Sequence, residues 1–344
     1  MQDIKDFTNS QIVPRQLGGY GKKIRIVFDN KYYILKFRNE SLKRCDVETS
    51  HTGAISEYIC SHIFQSVGID TQNTILGLYN DEICVACEDF RESYEDNIEF
   101  AEFARTIYRQ DEFEESPQIE QLYEVYECDS FPQNLKDKAV ERFWDTFVID
   151  ALVGNSNRDA SNWGFLVNNL NNSYKLAPVY DLKNTQLSLF SSEKEISMIN
   201  DDFRILQKGF AYPYPASPNK SCRWLGYYDV LASNFDENCS KALIRIFPKI
   251  NMNKVFSIVD NTPFISETKK VFYKKLLQVR YETILEKAYN CCITQNYDKD
   301  AQYRVQNEIS IDDPILKKMM ADNFFSNVSC LNQNAEQDAE YDLS

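Results

Sequence analysis

The chain contains little histidine and few cysteines at a metal-binding spacing. There are two His among 344 residues, so a zinc site would need mostly thiolate ligands. Of the ten Cys, Cys84 and Cys87 form the one pair at a suitable spacing, and they lie in a β-like run where residues three apart face opposite sides. We therefore expect reduced, buried thiols and no zinc site.

Long apolar runs and basic blocks are also lacking. No apolar run is long enough to span a bilayer, and the N-terminus MQDIKDFTNSQ has no apolar signal core, so we expect no membrane span, no Sec export and a cytoplasmic location. The 52 acidic residues outnumber the 38 basic ones, which makes the formal net charge −14. Extended contact with nucleic-acid phosphates needs a cationic surface and is therefore not expected.

The length and the order of the predicted elements favour two lobes. At 344 residues the chain is longer than one ordinary domain, and no internal repeat is visible. The first ninety residues show β-type runs at 24–28 and 32–37, joined by a turn at 29–31, then a helix over 53–68 and strands at 74–79 and 83–87. This order predicts a small, strand-rich N-terminal part.

Helical patterns dominate after Phe90. Helices are predicted over 134–153, ending at Gly154, and over 268–289. The segment 186–218, which ends in AYPYPASP, is predicted to be a long loop, and the polar residues 331–344 a loose tail. The C-terminal part is therefore expected to be larger and mostly helical.

The stretch Gly154 to Leu166, GNSNRDASNWGFL, is followed after a short gap by APVYD. Asn162 and Asp181 flank two predicted strands, 163–167 and 174–178, which can form a hairpin and bring an amide oxygen and a carboxylate to one edge. Mg²⁺ is usually held by one or two such protein oxygens together with phosphates and water. The layout is that of a phosphoryl-transfer site.

The same stretches resemble the HipA-like kinases, whose pattern is approximately G-N-x-D-R-H-x-x-N-x-G followed by A-P-x-Y-D. SEYICSHIF, TILGLY, VACEDF and FWDTFVIDALVGN are most similar to the branch of that family made of small secreted effector kinases. The similarity extends from about Gly18 to about Tyr289. Several spaced motifs in the right order are far more specific than any single motif.

The resemblance implies an α/β (α+β) bilobal protein-kinase-like fold. The expected parts are an N-lobe over 1–90, a helical C-lobe over 91–330 and a polar tail over 331–344. The implied activity is ATP-dependent phosphorylation of Ser or Thr in a protein substrate, with Mg²⁺ as cofactor. An antitoxin or a host target protein is a possible partner, and delivery into a host cell as an effector is compatible with the absence of a Sec signal.

The resemblance also implies a role for individual residues. Lys36 would hold the α- and β-phosphates and Glu57 would pair with it, while Asn162 and Asp181 would bind the metal. The glycine-rich turn over the phosphates would be formed by Gly18, Gly19, Gly21 and Lys22. The backbone of the hinge, which would bind adenine, comprises Ala86, Cys87, Glu88, Asp89 and Phe90.

The sequence departs from the family pattern at the catalytic base. Asn157 stands where the family has Asp, and Asp159 stands where it has His. An amide cannot accept the proton, and the loss of a general base typically lowers the rate by about 10² to 10⁴. Three alternatives remain: an introduced Asp-to-Asn change in a working kinase, a natural nucleotide-binding pseudokinase, or a base displaced to Asp159. We favour the first, because one change restores the motif.

Asp150 precedes this loop at the end of the predicted helix and matches an acidic position of the family. It is either a surface acid or a brace that accepts hydrogen bonds from the backbone amides of the loop. Its apolar neighbours Ile149 and Ala151 favour the brace.

Overall fold

The computed structural model describes residues 4–14, 22–37, 52–108, 119–155, 158–183, 197–209 and 225–307, together with 314, 317 and 318. Of the residues singled out from the sequence, Gly18, Gly19, Gly21 and Asn157 lie outside them, as does the predicted tail over 331–344.

The N-terminal part is built on a six-stranded sheet with the order β1-β5-β6-β4-β3-β2, in which β1 pairs with β5 in parallel and the other pairs are antiparallel. The strands are β1 (Lys5–Asp6), β2 (Gln11–Ile12), β3 (Lys23–Phe28), β4 (Lys31–Lys36), β5 (Thr74–Tyr79) and β6 (Glu82–Glu88). Helix α1 (Thr52–Ser66) connects β4 to β5. The predicted elements of this part are confirmed.

Two tight hairpins set the register of this sheet. Asp29 and Asn30 between β3 and β4 have φ values of 48° and 60°, and Asn80 and Asp81 between β5 and β6 have 50° and 61°. Two central residues with positive φ define the turn whose twist matches paired strands, and Asn and Asp tolerate that conformation. The first turn is therefore one residue shorter than the predicted three-residue connection, because Lys31 already pairs with Phe28.

The two faces of the sheet bury different cores. Val85 and Cys87 face the main core, which includes α1, whereas Cys84 and Ala86 face a smaller cluster around Phe7. The alternation follows from the period of two in a strand. Cys84 and Cys87 thus lie on opposite faces, as predicted, and the cysteines in the described part of the chain are all free thiols.

The C-terminal part combines a three-stranded sheet with many helices. The sheet has the order β7-β8-β9, with β7 (Glu95–Glu99), β8 (Gly164–Asn168) and β9 (Ser173–Leu176). The helices are α2 (Phe100–Ala104), α3 (Ile119–Glu127), α4 (Lys136–Val153), α5 (Asp202–Gly209), α6 (Tyr227–Ala232), α7 (Glu237–Ile246), α8 (Met252–Asp260), α9 (Glu267–Arg280), α10 (Lys287–Thr294) and α11 (Lys299–Asn307). A π-helical turn, Tyr281–Glu286, joins α9 to α10.

Two predictions for this part differ from the structure. Helix α5 lies inside the segment predicted as a long loop, so that prediction is wrong for residues 202–209; the rest of the segment is described only at 197–201. The helix predicted over 268–289 continues through the π-helical turn into α10 and ends at Thr294. In the described residues, no helix has the length and apolar character needed to cross a bilayer.

Helix α4 ends at Gly154 for two physical reasons. Gly154 has a φ of 68°, a left-handed conformation that favours glycine at a helix C-terminus. A Cβ atom at this position would also lie 2.3 Å from the guanidinium of Arg280, which is fully buried. The chain therefore turns sharply here into the Asn- and Asp-rich loop.

Gly154→Ala is expected to destabilise the protein more than Gly68→Ala does. Both glycines have positive φ, but a Cβ at Gly68 has no atom within 4 Å. Left-handed strain costs about 1–2 kcal/mol at either site, and overpacking against Arg280 adds about 1–3 kcal/mol at Gly154 alone. Urea unfolding of the two variants measures the difference. Equal losses would show that Arg280 relaxes and that the close contact has no energetic consequence.

Candidate active site

The loop after α4 is organised around the buried side chain of Arg158. Arg158 Nε lies 2.8 Å from Asp150 Oδ2, and Arg158 Nη2 lies 3.0 Å from Asp150 Oδ1. Asp150 also accepts a hydrogen bond from Asn155 Nδ2 at 2.9 Å. Asp150 and Arg158 are 1% and 4% exposed. Burial lowers the pKa of Arg158, but Asp150 outweighs it and the pKa is raised. Asp150 is therefore a brace, and its carboxylate accepts hydrogen bonds from the side chains of Asn155 and Arg158.

The remaining donor of Arg158 connects the two predicted metal ligands. Arg158 Nη1 donates to the carbonyl oxygen of Asn162 at 2.9 Å and to that of Tyr180, the residue before Asp181, at 3.2 Å. The intervening strands pair as expected, with Phe165 opposite Leu176. The predicted hairpin thus exists, and the guanidinium of Arg158 binds backbone carbonyls at both of its ends.

Helix α2 also holds this loop. The amides of Phe100 and Ala101, at the start of α2, donate to the carbonyls of Trp163 at 2.9 Å and Ala160 at 2.8 Å. Asp159 acts inside the loop: its Oδ1 accepts from the amide of Ser161 at 2.9 Å and also from the Ser161 hydroxyl. Asp159 therefore caps the turn, which favours the brace over the displaced base among the alternatives for this residue.

Lys36, Glu57 and Asp181 form a half-buried charge cluster. Lys36 Nζ lies 2.5 Å from Glu57 Oε1 and 3.2 Å from Asp181 Oδ1. Burial lowers the pKa of Lys36, but the neighbouring negative charges outweigh it and the pKa lies well above its usual value. Burial raises the pKa of Asp181, yet Lys36 and Lys183 hold it well below its usual range. Lys36 and Asp181 therefore stay charged near neutral pH.

Two lysines that the sequence did not single out belong to this cluster. Lys23 on β3 lies directly opposite Lys36 on β4, so both side chains occupy the same face of the sheet. Its pKa is lowered by burial and by the positive charges of Lys36 and Lys183. Lys183 Nζ lies 3.2 Å from Asp181 Oδ1. Like charges directly opposite on paired strands are destabilising, and the negative charges of Asp181 and Glu57 offset part of that repulsion at Lys23.

The structure does not bring Lys22 to the same face. Lys22 Nζ lies 3.3 Å from Glu82 and 4.3 Å from the centre of the Phe37 ring, on the opposite side of the sheet. Adjacent residues in a strand face opposite sides. Lys23, not Lys22, is therefore the lysine of this segment that faces Lys36.

Only some backbone groups of the predicted hinge are available to a nucleotide. Ala86 and Cys87 lie in β6, the central strand between β5 and β4, where backbone groups bond to neighbouring strands. The amide of Glu88 donates to Asn73 O and that of Asp89 to Tyr32 O, each at 2.8 Å. The structure therefore does not offer the backbone of Ala86 and Cys87, nor these two amides, to a nucleotide.

Glu88 and Phe90 remain compatible with the prediction. The carbonyl of Glu88 accepts from Gln72 Nε2 at 2.9 Å, but a carbonyl oxygen can accept a second hydrogen bond. Phe90 follows the strand, and its ring centre lies 5.8 Å from that of Tyr180, next to Asp181. The end of β6 therefore lies beside the charge cluster.

The donor set suits a hard divalent cation. Asp181 is an ionised carboxylate with a φ of 55°, a strained conformation that a functional position often retains. Asn162 is 5% exposed and carries an amide oxygen. Oxygen donors of this kind match Mg²⁺. No cluster of three or more His, Cys, Asp or Glu side chains that could hold another metal occurs among the described residues.

Comparison with known proteins identifies the family. The family model for the HipA-like C-terminal domain matches residues 15–212, so the chain belongs to that family. The chain is 32% identical over 294 residues to the serine/threonine-protein kinase CtkA of Helicobacter pylori (strain J99), a match that covers 84% of this chain and 88% of that protein.

Solved structures show the same fold. The crystal structure of the proinflammatory kinase CtkA of Helicobacter pylori superposes with a TM-score of 0.77 and 28% sequence identity, covering 86% of this chain and all of that one. The mixed α/β, kinase-like fold is therefore confirmed. The lobe boundary near residue 90 stays a prediction.

Asp150→Asn is expected to destabilise the protein strongly. The amide keeps the size of the side chain but leaves the buried guanidinium of Arg158 without a compensating charge, which costs about 3–5 kcal/mol. Glu127→Gln is the matched control, because Glu127 pairs with Lys136 at the surface and is 61% exposed; its effect should stay within about 0.5 kcal/mol. Urea unfolding compares the two. A loss below about 1 kcal/mol for Asp150→Asn would contradict the brace.

Proposed function

We propose that the protein transfers a phosphoryl group from ATP to a Ser or Thr hydroxyl of a protein substrate. The observation that carries this proposal is the charge cluster, in which Lys36 is held between Glu57 and Asp181, while Arg158 joins the backbones on either side of the predicted metal ligands. Similarity to a serine/threonine-protein kinase supports the same reaction.

The proposed role of each residue follows from the charge of its side chain. Lys36 and Lys23 would bind phosphate oxygens, and Glu57 keeps Lys36 in place. Asn162 and Asp181 would hold Mg²⁺, which neutralises charge on the phosphates. The carbonyl of Glu88 and the backbone of Phe90 would bind adenine. Positioning and electrostatic stabilisation supply most of the rate in such a site.

The acceptor hydroxyl still needs a base. Position 157 is the predicted place, and Asn157 cannot take a proton, so the chain as it stands would turn over slowly. Asp159 is engaged with Ser161 and is not free to replace it. A pseudokinase that binds nucleotide without transfer is the second candidate function, and the amide at position 157 is the feature that favours it.

Asn157→Asp is expected to increase phosphoryl transfer by about 10² to 10⁴, the range for recovering a positioned base. Transfer of radiolabelled γ-phosphate to the protein itself or to a generic acceptor measures it. Asn171→Asp, in the exposed turn between β8 and β9, adds the same charge away from the site and should leave the rate unchanged.

Asp159→Ala separates the remaining alternatives. In the Asn157→Asp background it should change the rate little if Asp159 is a cap, whereas a displaced base would make the same substitution abolish the activity of the parent chain. Retained binding of Mg-ATP with no gain from Asn157→Asp would refute the kinase and leave the pseudokinase.

Lys23→Ala is expected to weaken nucleotide binding about ten- to hundredfold, because one charge-assisted contact to phosphate contributes about 1.5–3 kcal/mol. Lys22→Ala is the matched control, since the neighbouring residue has the same charge but faces Glu82. Its effect should stay within about twofold. Calorimetric titration with Mg-ATP compares the variants. A larger effect at Lys22 would show that the strand presents its other face to the nucleotide.

The proposed partner is a class of protein substrates. A protein with an accessible Ser or Thr is the proposed substrate, in line with the similarity to a serine/threonine-protein kinase. The antitoxin, the host target and delivery as an effector stay predictions.

A further inference from the structure

Lys183 shares one carboxylate oxygen with Lys36. Its Nζ lies 3.2 Å from Asp181 Oδ1, and Lys36 Nζ lies 3.2 Å from the same atom. Lys183 belongs to the turn that carries Asp181, two residues further on, and its side chain is 34% exposed. The oxygen expected to bind the metal is therefore already surrounded by two ammonium groups.

Lys36 and Lys183 differ in the other carboxylates that pair with them. Lys36 lies at the end of β4 and has Glu57 as a second carboxylate at 2.5 Å. For Lys183, Asp181 is the one carboxylate within ion-pair distance in the described part of the chain. If Asp181 bound another cation, Lys36 would keep a partner, and the more exposed Lys183 would be released.

The charge balance of the cluster disfavours a metal ion without a nucleotide. Lys36 and Lys183 carry two positive charges against the two negative charges of Glu57 and Asp181. A divalent cation alone would create a positive excess in a half-buried site, where charges interact more strongly than in water. A polyphosphate anion would reverse that excess.

We propose that Lys183 pairs with the carboxylate of Asp181 in the nucleotide-free protein and moves to the phosphates when Mg²⁺ enters together with the nucleotide. This proposal rests on the proposed function and concerns the regulation of the same site. Lys183 thus competes with Mg²⁺ for the carboxylate, and it substitutes for Mg²⁺ on the phosphates when the metal is absent. Both effects make the protein less dependent on Mg²⁺ for nucleotide binding.

The test measures the Mg²⁺ dependence of ATP binding by calorimetry. The Kd for ATP is determined in EDTA and in excess Mg²⁺. The Kd in EDTA divided by the Kd in Mg²⁺ reports the coupling between metal and nucleotide. Lys183→Ala and Lys183→Gln should each increase this ratio about tenfold, because the competing charge is gone. Lys183→Arg should keep the parent ratio. Lys175→Ala, on β9 and paired with Glu95, is the matched control and should change nothing.

A second readout needs no nucleotide. Titration of the free protein with MgCl₂ should leave the thermal unfolding midpoint of the parent unchanged and raise that of Lys183→Ala, because only the variant offers Asp181 to the metal. This measurement also shows whether the variant is folded. The Lys183→Gln variant retains part of the aliphatic stem and a neutral polar end, so agreement between Lys183→Ala and Lys183→Gln argues against a packing effect.

The outcomes separate the two proposals. Mg²⁺-dependent ATP binding with the same ratio in the parent, Lys183→Ala and Lys183→Gln would overturn the role of Lys183 and leave the nucleotide site intact. A ratio raised equally in Lys183→Arg would also overturn it, because the charge would then be irrelevant. Absence of ATP binding in the parent with and without Mg²⁺ would refute the proposed function, and this inference with it.

Discussion

The buried guanidinium of Arg158 is the constraint on which the arrangement of the site depends. A charge in this position is stable only if it is paired and its other donors are satisfied. Asp150 supplies the paired charge from the last turn of α4, and the carbonyls of Asn162 and Tyr180 accept the remaining hydrogen bonds. Because these partners come from three separate segments, satisfying one side chain sets the relative positions of the loop and of the turn that carries Asp181.

Helix α1 relates the sheet to that turn. Glu57 faces Lys36 on β4, and the preceding residue, Ser56, donates to the carbonyl of Leu182 at 3.5 Å. After the helix, Thr71 pairs with Val179 as an isolated parallel bridge. The segments that hold Lys36 and Asp181 are thus joined through one helix and its flanking residues, so a shift of α1 would move both charges.

The strands and their hairpins could be predicted because alternation and turn residues are local signals. The predictions for Lys22 and for part of the hinge failed because they depend on strand register and on the neighbouring strands. The start of β3 determines which of two adjacent lysines faces Lys36, and a shift of one residue exchanges them. Ala86 and Cys87 resembled a hinge, but β6 has partners on both sides, which a sequence pattern does not reveal. Helix α5 was missed because its segment lies among loop-forming residues.

The sequence by itself determined the family, the strands and the helix from β3 to β6, and the residues predicted to bind phosphate and metal, since these follow from spaced motifs and short-range periodicity. Only the tertiary structure decided that Lys23 and Lys183 join Lys36, that Arg158 is satisfied by Asp150, and that Asp159 caps its own turn. The pair between Lys36 and Asp181 spans 145 residues of chain. Contacts over such a separation depend on how the sheet, α1 and the hairpin pack, and no local pattern encodes that packing.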